Sequence, residues 1–124
     1  MYERLGGESR IATVVDEFVE CILGDPRLHA NPRFTEASRR ISKAGLKHLL
    51  TELTCNATGG PQTYTGRSMG DSHRHLMVTA GEWETFMDDF RQTLDAHQIE
   101  GREREELMAI LESSRAAIVV APRD

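Results

Sequence analysis

The chain has only two cysteines, Cys21 and Cys55, too few for a disulfide framework and at no metal-ligand spacing. With no export signal in view, both are expected to be reduced thiols. No apolar run reaches the roughly 18 residues of a membrane helix, so no membrane contact is expected. The opening "MYERLGGESR" lacks the apolar core of a secretory signal, which makes the cytoplasm the expected compartment. Formal charge is −5, and no basic stripe suited to a nucleic-acid backbone stands out, so nucleic acid is not an expected partner. Aromatics are scarce, seven in all. A length of 124 residues is enough for one core and too short for two, which predicts a single domain over 1–124.

Every long periodic segment has the helical period. "SRIATVVDEFVECIL" (9–23) sets Ile11, Val14, Val15, Phe18 and Ile22 on one stripe behind a Ser9 cap, and Gly24-Asp25-Pro26 ends it. A second helix is predicted over 35–55 from a Thr35 cap, with Ile41, Leu46, Leu49, Leu50 and Leu53 inward and Gly45 as a weak point. Thr79-Ala80-Gly81-Glu82 has the spacing of a capping box and opens a helix striped by Trp83, Phe86, Met87, Phe90 and Leu94. A last helix is predicted from about Glu103 to Val120, with Leu107, Ile110, Leu111, Ser114 and Ile118 inward. No alternating strand pattern, repeat or linker occurs. The predicted class is all-α.

Three of the seven aromatics (Trp83, Phe86 and Phe90) share one helical stripe, as a plain bundle core would also arrange them. A bundle core does not explain the long stretch before them, "GGPQTYTGRSMGDSHRHL" (59–76). Loops of about 12 residues are uncommon in compact domains and tend to carry function. This one delivers Met69, His73 and Leu76 at helical spacing, while His75 lies about 200° from His73. Of the five histidines, no pair has the i,i+4 zinc spacing with an accompanying acid. A neutral imidazole on an apolar face can give one ring nitrogen to a carbonyl and the other to a metal. Haem iron held by one proximal histidine suits such a face and the aromatic stripe together.

These residues resemble a known family, the group I truncated haemoglobins. "YERLGG" (2–7), "VVDEFVECILGDPRL" (14–28), "ATGGPQTYTGRSMGDSH" (57–73) and the closing "SSRAAIVV" are similar to its motifs, and their order is more specific than any glycine pair alone. The resemblance implies a shortened two-over-two globin with haem b between helix pairs. It makes His73 the proximal iron ligand and places Tyr64, Arg67 and Met69 at the haem edge, with Arg67 as the partner of a propionate. Trp83 and Phe86 fall on the helix that floors the proximal pocket, and Leu46 and Leu50 face haem from the distal helix.

The sequence departs from the pattern on the distal side. Val19 stands where most members have a tyrosine that donates to bound dioxygen, and Asn31 and Pro32 stand where the edge phenylalanine is expected, with Phe34 as a substitute. Losing such a hydrogen bond costs about 1.5–3 kcal/mol, so carbon monoxide and nitric oxide are expected to be favoured over dioxygen. His48 and Lys47 are candidate sixth-position ligands, although His48 is about 200° from both Leu46 and Leu50 and should face solvent. His29 and Asn31 could also swing in from the preceding loop. The expected function is binding of a diatomic gas at iron opposite His73. The alternatives are a haem-dependent oxidoreductase acting on nitric oxide or peroxide, which would need a reductase partner, and a helical interaction module without haem.

Overall fold

The computed structural model describes residues 2–66 and 73–119, the side chain of His75 excepted. The described elements are helices α1 (Gly7–Gly24), α2 (Pro26–His29), α3 (Pro32–Arg40) and α4 (Lys43–Ala57), a 3-10 turn (Arg74–Leu76), then α5 (Ala80–Ala96), α6 (Gly101–Glu112) and α7 (Arg115–Ile118). Among the described residues the β contact recorded is a single parallel bridge between Val78 and Val119.

α1 is the hub and packs against both α4 and α5. Its predicted stripe (Ile11, Val14, Val15, Phe18 and Ile22) is buried, and Val19 is covered completely. Ile11, Val14, Val15 and Val19 meet Cys55 of α4, Leu94 of α5 and Leu107 of α6 in one cluster. Phe18, Ile22 and Leu28 form a second with Phe34, Phe86 and Phe90. Trp83, Met87 and Ile118 form a third. No described helix is long and apolar enough to cross a membrane.

Three boundaries differ from the sequence pattern. α1 begins at Gly7, earlier than a Ser9 cap implies, because Gly6 takes the left-handed conformation (φ 98°) that glycine adopts without strain. The predicted helix 35–55 is two helices. α3 is capped by Asn31, with Pro32 in its first turn, and the chain becomes extended at Ile41 before Ser42 caps α4 by accepting the Gly45 amide. Ile41 is consequently 42% exposed rather than part of the inner stripe. The last predicted helix starts at Gly101 and is interrupted at Ser113 and Ser114, after which α7 turns Ile118 into the core.

Candidate functional site

The segment around His73 is built from its anchors. His73 caps the 3-10 turn and is half-buried, as is Leu76. Residues three apart eclipse in 3-10 geometry, so the two share a face. Met69 and Arg67 lie outside the described residues. Met77 then reverses the chain with φ 51°, a left-handed conformation for a side chain larger than glycine. The predicted capping box follows: Thr79 Oγ1 accepts the Glu82 amide at 3.1 Å, and Glu82 Oε1 accepts the Thr79 amide at 3.0 Å. Asn31 closes the set. Its Oδ1 accepts the Arg33 amide at 2.9 Å, and its Nδ2 donates to the Leu76 carbonyl at 2.9 Å and to Glu82 at 3.3 Å. The Asn-Pro pair announces the cap in the sequence, but nothing in the sequence announces the two bonds 45 and 51 residues away.

Tyrosine rings account for Gly60 and Gly66. Tyr2 donates its amide to the Thr58 carbonyl at 2.9 Å, and its hydroxyl accepts from the Glu8 amide and Gln62 Nε2. A Cβ on Gly60 would come within 2.7 Å of that ring, and a Cβ on Gly66 would meet the ring of Tyr64 just as closely. "YERLGG" and "GGPQ" are therefore one packed unit. Gly60→Ala is expected to cost about 1–3 kcal/mol by overpacking, read as a lowered urea midpoint.

A cavity of about 220 Å³ lies among α1, α4, α5 and α6, walled chiefly by carbon from Ile11, Val14, Phe18, Leu50, Phe86 and Phe90. Of the predicted site residues it brings together Leu50 and Phe86; Leu46, Tyr64, His73 and Trp83 are not among its walls. Trp83 is buried beside it, stacked on Phe86 at 5.4 Å, with Nε1 donating to Glu112. Phe18 meets Phe86 and Phe90 edge-on at 5.0 and 5.2 Å. α4 covers only Cys55 fully, leaving Leu46, Leu49, Leu50 and Leu53 half-buried, as Phe86 and Phe90 are on α5.

The two candidate sixth-position ligands on α4 point elsewhere. Lys47 Nζ sits 2.7 Å from Asp16 and 2.9 Å from Glu20, and these carboxylates raise its pKa. The His48 side chain is 69% exposed, with Nε2 3.5 Å from Glu52. His29 is occupied by the Leu23 carbonyl and the Thr35 hydroxyl. Among the described residues no group of three or more His, Cys, Asp and Glu could hold a metal ion.

One buried polar cluster escaped the sequence analysis. Asp25 caps α2 and receives Arg27 through Nε (3.1 Å) and Nη2 (2.8 Å), and Nη2 also reaches Asp88 (3.2 Å) and Asp89 (3.4 Å). The Arg27 hydrogen bond holds Asp25 down at about 2. Burial, then the hydrogen bond with Asp25, pushes Asp89 up to about 7. The pair joins the α1–α2 corner to α5, and Asp25 and Asp89 are 64 positions apart, beyond any local pattern.

A sequence model of the bacterial-like globins matches residues 1–120. The chain belongs to this family. A group 1 truncated hemoglobin of Synechocystis sp. is 33% identical over 81 residues, 65% of this chain and 60% of the relative. One of Tetrahymena pyriformis is 23% identical over 94 residues (76% and 73%), and one of Mycolicibacterium paratuberculosis 32% over 79 residues (64% and 54%). The chain thus spans three-fifths or less of the Synechocystis and Mycolicibacterium relatives. This bacterial-like globin is of the group I truncated kind, and its helices have the truncated two-over-two globin fold. The family is one of haem-binding globins. The chain's own residues fit such a group in character, since half-covered Leu50 and Leu53 share a cavity with half-covered Phe86 and Phe90 and an imidazole stands on the turn that leads into α5. The cavity itself, at about 220 Å³, is smaller than the roughly 300–1,000 Å³ of small-molecule sites.

Proposed function

We propose that the chain, as a single domain over 1–124, holds haem b between α4 and α5 with His73 as the iron's protein ligand, and binds a diatomic gas on the opposite face. The observation that carries this reading is the incomplete cover of Leu46, Leu49, Leu50, Leu53, Phe86 and Phe90 beside an α1 stripe that is fully buried. Leaving side chains of this size partly wet forfeits about 25 cal/mol per Å² of apolar surface, which a flat apolar group between them recovers.

When bound, haem supplies a ferrous iron to which dioxygen, carbon monoxide or nitric oxide can add. The chain's residues set the terms. Leu46 and Leu50 keep water from the gas side, while Trp83 and Phe86 floor the other. Asn31 and the Thr79–Glu82 box brace the turn that presents His73. Tyr64, Arg67 and Met69 line the porphyrin edge in this reading, with Arg67 neutralising a propionate. Val19 offers no hydrogen to a bound ligand. Lys47 keeps its proton between two carboxylates and His48 stays with Glu52, which favours an open sixth position over internal ligation.

The test is the ferrous spectrum of purified, haem-loaded protein. A five-coordinate species that shifts on adding carbon monoxide supports the reading. A six-coordinate low-spin spectrum without added ligand rejects the open site.

A further inference from the structure

Charge is unevenly spread along this acidic chain. Between Pro26 and Leu50 six lysines and arginines accompany a single acid, Glu36. Three of the six pair with acids outside α3: Arg27 with Asp25 and Asp89, Lys43 with Glu20, and Lys47 with Asp16 and Glu20. The other three, Arg33, Arg39 and Arg40, all lie on the exposed side of α3, a helix with no fully buried residue. Arg39 and Arg40 share Glu36 at 3.8 and 2.9 Å, with side chains 74% and 78% exposed. Pairs this exposed contribute little to stability and exchange readily for a partner's carboxylates. The place matters as much as the charge. Asn31, two residues before Arg33, is bonded to the last carbonyl of the turn that begins at His73.

We propose that the outer face of α3 docks an acidic one-electron carrier protein beside the His73 turn. The proposal rests on the haem reading, because a globin oxidised to the ferric state must regain one electron before it binds dioxygen or carbon monoxide again. In that step one electron leaves the carrier's reduced cluster, which is oxidised, and reduces ferric iron to ferrous. No bond to the protein is made or broken. An anionic bilayer fits less well, since three cations fall short of the clusters of about 4–8 that read lipid headgroups, and the acidic rest of the chain is repelled by such a surface. Charge complementarity of this kind sets the association rate and its dependence on salt.

The experiment titrates haem-loaded protein with an acidic plant-type [2Fe–2S] ferredoxin by calorimetry, and follows reduction of ferric haem by the reduced ferredoxin in stopped flow. Both are run at low salt and at about 0.2 M, where exposed charges are screened beyond ~8 Å. R33E/R39E/R40E is expected to weaken binding and slow reduction at least ten-fold. R102E/R104E/R115E, an equal charge change on α6 and α7, is expected to alter either by less than about three-fold; circular dichroism melts confirm that both variants fold. Equal loss in the two variants, or no binding by the wild type, overturns the docking face. So does salt-sensitive self-association, or binding to phosphatidylserine vesicles, that depends on the same three arginines while the ferredoxin fails to bind. A chain that takes up no haem yet binds the ferredoxin through α3 defeats the haem reading and upholds the docking surface.

Discussion

His73→Ala is expected to lose haem far faster than the wild type, measured by transfer to an excess of a haem-scavenging apoprotein. The loss should exceed the roughly 10- to 100-fold cost of removing an outer hydrogen bond to a metal ligand, because in the proposed site the ligand itself is removed. Five-coordinate ferrous haem with histidine ligation should vanish from the spectrum and return in part when imidazole is added to the buffer. His75→Ala serves as the control and should leave both readouts nearly unchanged. Equal damage from the two substitutions, or no recovery with imidazole, places the ligand elsewhere.

The second large effect concerns stability and pH, and it arises in the Asp25–Asp89 pair. Asp89 is buried, and its pKa is raised to about 7 by that burial and by the hydrogen bond with Asp25. The folded chain therefore keeps a proton that the unfolded chain has released above about pH 4. Stability contributed by that proton is complete at low pH and is lost as pH rises through about 7, at most about 4 kcal/mol for one carboxyl moved this far. Asp25 works in the opposite sense over a lower window: its pKa is depressed to about 2, so the stability from its Arg27 bond is present above about pH 4 and fades below it. Asp89→Asn keeps the shape and a donor toward Asp25 but cannot ionise. Its urea midpoint should exceed that of the wild type at pH 8 and approach it at pH 5. A wild-type midpoint that does not fall between those values excludes a buried proton on Asp89.

How much of this was legible in the sequence depends on the range of each signal. The α1 stripe and the Thr79–Glu82 box are local and were readable, since a 3.6-residue period and a four-residue motif contain their own geometry. The break between α3 and α4 was not, because both halves keep the helical period and only Ser42 marks the restart. A serine cap and a serine inside a helix look alike until the chain turns. The Asp25–Asp89 contact and the two distant bonds of Asn31 depend on tertiary approach and leave no local trace. Gly60 falls between these cases. Its motif was recognisable, but its cause is a ring supplied by Tyr2, 58 positions earlier. For the site, Leu50 and Phe86 wall one cavity together with Phe90 of the same aromatic stripe and with Phe18, which was read only as core.

The half-covered leucines and phenylalanines, and the histidine held on its braced turn, are accounted for together by one prosthetic group. Titrating the purified chain with haemin tests this most directly. The account predicts saturation at one haemin per chain, a Soret band that sharpens on reduction and shifts with carbon monoxide, and a higher melting temperature for the loaded protein. A chain that stays colourless, with the same melting temperature in the presence and absence of haemin, contradicts it.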